Sequence, residues 1–248
     1  MSGARGPEAI RIASLLQTTE RPPAVIFDLF GTLVHELPSE EFWASVDAIA
    51  DAVGSDRAAF RDGWETTTIE RQTGVLADIE ANVRAICREL GIEEGEEAIT
   101  NGLERRRAMY ERWFRPRDGA LETLASLRAR GYPLALVSQC APDAPALWRA
   151  SLLGGSVDVE VFSSEVGLRK PDPAIYRLAA SRLGVSSEGC VYVGDGAYGE
   201  LTGAAAVGMV PYLLRDPELD EGSLLTPERD PWQGETICHL REVLDLVP

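Results

Sequence analysis

An α/β fold, a doubly wound parallel sheet interrupted after its first strand by a helical bundle, is what the order of apolar patterns predicts. Three observations carry it. Ala24-Val-Ile-Phe27 is a short apolar run ending in Asp28, the pattern of a strand covered on both faces. The period then changes from strand to helix and stays helical to about Phe114. From Arg117 onward helix and strand patterns alternate, which implies parallel strands joined by right-handed crossovers.

Taken in order, residues 1–20 are polar and end in Arg21-Pro22-Pro23, which reads as an N-terminal arm. The first strand is followed by a tight turn at Gly31 and Thr32. Ser39 with Glu40 and Glu41 reads as a helix cap followed by first-turn acids. Phe42, Val46, Ile49, Ala50 and Val53 line one face of that helix, and Phe60 and Trp64 mark a second. Leu76, Ile79, Val83, Ile86 and Leu90 form a third, closed by Gly91, and Ile99, Leu103, Tyr110 and Phe114 a fourth. The expected domains are therefore a helical insertion over 36–115 and an α/β core from 21–35 and 116–248. The core resumes at Arg117-Asp118-Gly119 with a helix carrying Leu121, Leu124 and Leu127, then a strand over Pro133–Val137. Further strands fit Val157–Phe162, Val191–Val193 and Val210–Leu214, with helices near 172–183 and 200–207. Residues 215–234, rich in Pro, Asp and Glu, read as a surface loop before a final helix.

Composition narrows the function. A formal charge of −16 over 248 residues excludes a nucleic-acid or anionic-membrane partner, either of which needs a basic field. An anionic substrate must then be held by a local positive site. Met1 to Glu20 holds no long apolar run, so neither a signal peptide nor a spanning helix is expected, and the location predicted is the cytoplasm. Cys87, Cys140, Cys190 and Cys238 are scattered and read as reduced thiols, not zinc ligands or disulfides. Lys170 is the only lysine among 24 basic residues. A compact ammonium kept at one position in an arginine-using chain suits a point charge set against phosphate or carboxylate. The expected state is a monomer or homodimer.

Asp28 sits where a parallel strand emerges, the place where open α/β sheets bind ligands. A carboxylate there can act as a nucleophile, although the same pattern suits a turn or N-cap Asp. Three later segments bear on the choice: Pro133-Leu-Ala-Leu-Val137-Ser138-Gln139, Arg169-Lys170-Pro171-Asp172-Pro173, and Cys190-Val-Tyr-Val-Gly194-Asp195-Gly196 followed by Glu200-Leu-Thr-Gly203-Ala204. In this order they resemble the haloacid dehalogenase (HAD) superfamily of aspartyl-nucleophile hydrolases, across nearly the whole chain after residue 20. The resemblance implies a Rossmann-like core with a helical cap inserted at this position. It implies Asp28 as nucleophile, forming an aspartyl-phosphate that water hydrolyses. It implies a phosphate cradle of Lys170, the Ser138 hydroxyl, and the N–H groups of Leu29, Phe30, Gly31 and Gln139. It also implies Mg²⁺ held by Asp28, Asp195 and the main-chain carbonyl of Phe30, with Glu200 acting through a metal-bound water. For Glu200 a solvated helix-start acid is the alternative.

Phe30 departs from the pattern. Phosphatases of the superfamily usually carry a second Asp there, which protonates the leaving group and then activates water. A phenyl ring does neither, and general acid–base help is typically worth about 10²–10⁴-fold. His35 and Glu36, just beyond the turn, are the candidate substitutes. An aromatic residue at this place also occurs in the metal-independent 2-haloacid dehalogenase branch. The intact Gly-Asp-Gly at Asp195 counts against that branch, and no halide-receiving arginine can be assigned among Arg57, Arg61 and Arg71. A phosphonoacetaldehyde-hydrolase-like route needs a cap lysine, and the insertion has none. Trp64, Thr66–Thr68 and Arg71 are the candidates to face the core. The function expected is a Mg²⁺-dependent phosphatase of a small phosphorylated metabolite. The alternatives are a dehalogenase-like hydrolase, and a weakly active relative that binds a phosphorylated ligand.

Overall fold

The computed structural model describes residues 23–36, 38–93, 95–215 and 231–247. The expected N-terminal arm and most of the 215–234 loop lie outside the described residues. The first strand, β1 (Val25–Phe27), is buried throughout, which is why it reads as an uninterrupted apolar run. Its side chains alternate between two cores: Val25 and Phe27 enter one, Ala24 and Ile26 the other.

Five helices follow: α1 (Ser39–Ala52), α2 (Arg57–Thr66), α3 (Thr68–Gln72), α4 (Ile79–Leu90) and α5 (Glu96–Trp113). They share a core of their own in which Val46, Ile49, Phe60, Trp64, Val83 and Ile99 are buried. Gly102 lets α5 cross α1 closely, since a Cβ there would lie 3.1 Å from the Ile49 Cα. The sequence expectation differs in three places. Ser39 is the first helical residue, preceded by Pro38, and no side chain caps this helix. Asp56 and Asp78 do cap α2 and α4, accepting from the backbone N–H groups of Ala59 and Ala81. Leu76 precedes α4 instead of joining its face, and α3 is a separate single turn.

The sheet is completed by β2 (Leu134–Ser138), β3 (Val159–Phe162), β4 (Val191–Gly194), β5 (Val210–Leu214) and β6 (Thr236–Ile237). All neighbours are parallel, in the order β3-β2-β1-β4-β5-β6. The two-residue β6 was not foreseen. On one face lie α6 (Ala120–Ala129), α7 (Ala144–Ala150) and the chain end, a 3₁₀ turn at Leu240–Glu242 and α11 (Val243–Leu246). The other face is covered by α9 (Pro173–Arg182) and α10 (Glu200–Ala205); the one-turn α8 (Ser163–Val166) follows β3. Strand order reverses direction between β1 and β4. That switch point opens a crevice at the carboxyl ends of the strands, and register brings Phe27 level with Leu136 and Val193 there. Asp28, Ser138 and Asp195 therefore emerge side by side.

Candidate active site

Asp28 leaves β1 with its N–H donated to the Val193 carbonyl, so its position is set by the sheet. The Thr32 hydroxyl donates to Asp28 Oδ2 at 3.0 Å, and Lys170 Nζ donates to Oδ1 at 2.5 Å. Lys170 precedes α9 and is almost fully buried; the same ammonium donates to Glu200 Oε2 at 2.5 Å. Glu200, at the start of α10, is fully buried. Its Oε1 accepts from the Gly196 N–H and its Oε2 from the Tyr192 hydroxyl as well as Lys170. The solvated helix-start reading of Glu200 is thus replaced by a different finding: both of its oxygens are occupied within the protein.

Asp195 follows β4, and its Oδ1 accepts from the Ala197 N–H at 2.9 Å. Its Oδ2 lies against Gly31, where any Cβ would collide with it; the glycine (φ +77°) keeps the turn compact enough for the two loops to meet. One carboxylate oxygen from each of Asp28, Asp195 and Glu200 lies within 4.8 Å of the others. Burial pushes the Asp28 carboxyl up to about 6, against the pull of Lys170 and with Glu200 adding to the rise. Burial pushes Asp195 up to about 7, and the charge of Asp28 adds to this. Burial likewise raises Glu200. Lys170 is held far above the usual lysine range: burial opposes the charge, but Asp28 and Glu200 together outweigh it. The donor set suits a hard, oxygen-seeking cation. Asp28 and Asp195 face each other as crowded carboxylates whose raised pKa values a cation would relieve, and Glu200, tied to Lys170, Tyr192 and Gly196, is the third member of the cluster.

The expected anion cradle is partly assembled. Ser138 Oγ is buried at the end of β2, and among the described residues its only polar neighbour within reach is the Cys140 thiol. The Gly31 N–H donates to the Val34 carbonyl and is occupied within the turn, so of the three amides expected there Leu29 and Phe30 remain. Gln139 Nε2 donates to Gln72 Oε1 at 2.9 Å, tying the strand end to α3. Phe30 is half-buried and stacks edge-on against Phe114, ring centroids 5.9 Å apart.

Above this floor lies a cavity of about 490 Å³ that reaches Asp28 and Asp195 below and the helical bundle above. Trp64, Thr68 and Arg71 line it, as expected; Thr66 and Thr67 do not. Glu36 lines it and its charge reaches Asp195, whereas His35 is not among the lining residues. Arg106 Nε bridges to Asp143 Oδ2 at 3.0 Å, linking α5 to the entry of α7. Tyr198 closes one wall in a left-handed conformation (φ 57°), a strained backbone for a bulky side chain.

A family profile described as haloacid dehalogenase-like hydrolase matches residues 22–208. The chain belongs to this family. It is accordingly a hydrolase. A phosphoglycolate phosphatase of Rhodospirillum rubrum is 32% identical over 219 residues, covering 82% of this chain and 86% of that protein. A phosphoserine phosphatase of Thermus thermophilus is 34% identical over 132 residues, about half of either chain (49% and 52%). A HAD phosphatase from Thermococcus onnurineus superposes with a TM-score of 0.63 at 20% identity, covering 90% of this chain and 96% of its own. An L-2-haloacid dehalogenase from Xanthobacter autotrophicus superposes with 0.57 at 21%, covering 91% and 98%. These structural likenesses concern the fold. Among the described residues, no helix of this HAD-like hydrolase is long and apolar enough to cross a membrane.

Several residues around the site escaped the sequence reading. Thr32 was seen only as a turn hydroxyl, not as the partner of Asp28. Tyr192 lies inside the apolar run of β4, where nothing marks its hydroxyl as the anchor of Glu200. Arg106 is the middle of three consecutive arginines, but the spacing 99–103–106–110 places it on the buried stripe of α5, and that signal was readable.

Proposed function

We propose that this hydrolase is a Mg²⁺-dependent phosphatase of a small phosphorylated metabolite, working through an aspartyl-phosphate on Asp28. The observation that carries the reading is the pairing of a doubly anchored Asp28 with a second buried carboxylate, Asp195, on adjoining strand ends. The phosphatase relatives support the same reaction class. Asp28 attacks phosphorus, the ester P–O bond breaks, and the leaving oxygen departs. Water then cleaves the aspartyl-phosphate, releasing inorganic phosphate and restoring the carboxylate. Lys170, held in place by Glu200, neutralises charge beside the transferring group, and the Ser138 hydroxyl supplies a donor to it. Asp28, Asp195 and the Phe30 carbonyl would hold Mg²⁺, which when bound neutralises phosphoryl charge. Glu200 positions Lys170 and, as the third carboxylate of the cluster, keeps the outer metal role that the resemblance implied. The buried thiols of Cys140 and Cys190, which form no disulfide among the described residues, fit a cytoplasmic setting.

Phe30 favours a second reading, a dehalogenase-like displacement at carbon, in which no acid is needed for a departing halide. A panel of phosphate esters, acyl phosphates and 2-haloacids, each with Mg²⁺ and with EDTA, separates the two. Turnover of phosphates that EDTA abolishes supports the phosphatase. Haloacid turnover that survives EDTA overturns it, and no turnover at all leaves a phosphate-binding relative.

A further inference from the structure

Arg71 and Arg106 form a buried cationic pair in the roof of the cavity, and the pair is under-neutralised. Arg71 is 5% exposed. Its guanidinium donates only to neutral acceptors: the Trp64 carbonyl at 2.9 Å, and the Thr67 and Thr68 hydroxyls at 3.2 Å each. Its remaining face lies on the Trp64 ring, 4.5 Å from the centroid. No carboxylate among the described residues lies within ion-pair distance of it. Arg106, 2% exposed, has one acid, Asp143, and one hydroxyl, Ser45 at 3.0 Å. Its third nitrogen, Nη2, is buried and makes no hydrogen bond of normal geometry among the described residues, although the Tyr110 hydroxyl beside the guanidinium favours its charge. Rings of Tyr110 and Trp64 flank it at 4.3 and 4.9 Å. Both arginines line the cavity that reaches Asp28.

A buried charge without a counter-ion is costly, and a neutral side chain of similar size would fill this space as well. What an arginine adds is a planar fork matched to carboxylate or phosphate oxygens. The floor cannot supply that attraction, because Lys170 is already matched by Asp28 and Glu200, and the whole chain carries −16. We infer that Arg71 and Arg106 receive a second anionic group on the substrate, so that the phosphorylated metabolite also carries a carboxylate or a second phosphate. Calling the ligand a substrate rests on the phosphatase reading; the receptor itself does not.

The test measures binding of non-hydrolysable analogues by calorimetry with Mg²⁺ present. 3-Phosphonopropionate is compared with propylphosphonate, and propane-1,3-bisphosphonate with the same propyl compound, so the two arms separate a carboxylate tail from a phosphate tail. In the wild type at least one tailed analogue should bind roughly ten-fold or more tightly than propylphosphonate, the size of one charge-assisted hydrogen bond. Arg71→Gln should bring the difference to within about two-fold. Arg71→Lys, which keeps the charge without the fork, should narrow the preference, and it stands in if the Gln variant does not fold. Equal affinities in the wild type, failure of every analogue to bind, or a preference unaltered in the folded variants overturns the inference. A preference found in a protein that hydrolyses no phosphate ester would leave the receptor standing and remove the phosphatase. Phosphate turnover without the preference would do the reverse.

Discussion

The floor and the roof of the cavity are both buried and both charged, yet they are built in opposite ways. On the floor, Asp28, Lys170 and Glu200 form a closed chain of contacts at 2.5 Å, completed by Thr32, Tyr192 and the Gly196 amide. In the roof, among the described residues, Arg71 meets only neutral oxygens and Arg106 Nη2 makes no hydrogen bond of normal geometry. A satisfied network costs little to reorganise at the moment of reaction, as electrostatic preorganisation requires. An unsatisfied one gains most when a ligand arrives. The contrast separates chemistry from recognition: sheet termini hold the reacting groups, and inserted helices hold the groups that choose what reacts.

The largest effect should come from the floor. Asp28→Asn is expected to lower kcat by at least about 10⁴-fold, the scale of removing a nucleophile, while leaving the circular dichroism spectrum intact. A crystal of the wild type with beryllofluoride and Mg²⁺ should show the fluoride complex bonded to Asp28. Activity near wild type in the Asn variant would end the nucleophile assignment and with it the division between floor and roof.

Phe30 sits where the two regions meet, packed on Phe114 at the end of α5. Without an acid there, the leaving oxygen departs largely unprotonated, so acyl and aryl phosphates should outperform sugar phosphates. Phe30→Asp should raise kcat/KM for sugar phosphates most, by up to about 10²-fold. The same change removes an aromatic contact and adds a carboxylate beside two whose pKa values are already raised, so thermal stability should fall. A series of leaving groups of graded pKa checks this. A flat dependence, unchanged in the variant, would mean that another acid serves, with Glu36 the first to replace because it lines the cavity.

The same contrast governs what could be read from the sequence. The strands bearing Asp28, Ser138 and Asp195 were legible because central parallel strands must be apolar throughout, and each ended in a polar residue. Lys170 stood out by its isolation. The roof was harder. The single turn of α3 is too short to show a period, so neither the burial of Arg71 nor the Gln72–Gln139 bond had a local signature. β6, two residues long, gains its identity only from pairing with Leu213 and Leu214. Ser39 misled because Ser before two acids has the composition of a cap, while the turn that Pro38 makes had already taken that position. Glu200 was recognised as important, but its bonds to Tyr192 and Lys170 had no local signature, since both reach it only through the fold.

The floor also divides internally. Among the described residues Asp195 accepts from one protein donor, whereas Glu200 accepts from three. Asp195→Asn should therefore weaken Mg²⁺ by roughly 10–100-fold, and Glu200→Gln by less, with its main loss in kcat through a misplaced Lys170. Titration of Mg²⁺ by calorimetry and by activity gives the ordering. Equal weakening by the two variants would place Glu200 directly on the metal, and full activity in excess chelator would remove the metal from both.

The smallest effect is one of stability, and its sign follows from burial. Asp28 and Asp195 titrate at about 6 and about 7 in the folded chain, above the ordinary aspartate value of 3.8. The folded state holds these protons more tightly than the unfolded chain does, so the stability they contribute is present at low pH and lost as pH rises through 6 to 7. Metal-free protein should gain roughly 2–3 kcal/mol from these two groups between pH 8 and pH 5.5, which for a chain of this size is several degrees in Tm. Asp195→Asn should remove the larger part of that slope, because the replaced group carries the higher pKa. Mg²⁺ should flatten it from the other side: cation binding prefers the ionised carboxylates, so it raises Tm more at pH 8 than at pH 5.5. Roof variants such as Arg71→Gln should leave the slope alone, since the two carboxylates that produce it lie on the floor. Scanning calorimetry across pH, with and without Mg²⁺, reads all three comparisons. A slope that persists in Asp195→Asn, or that moves with Arg71→Gln, would show that the two regions are not the separate electrostatic units that their contacts describe.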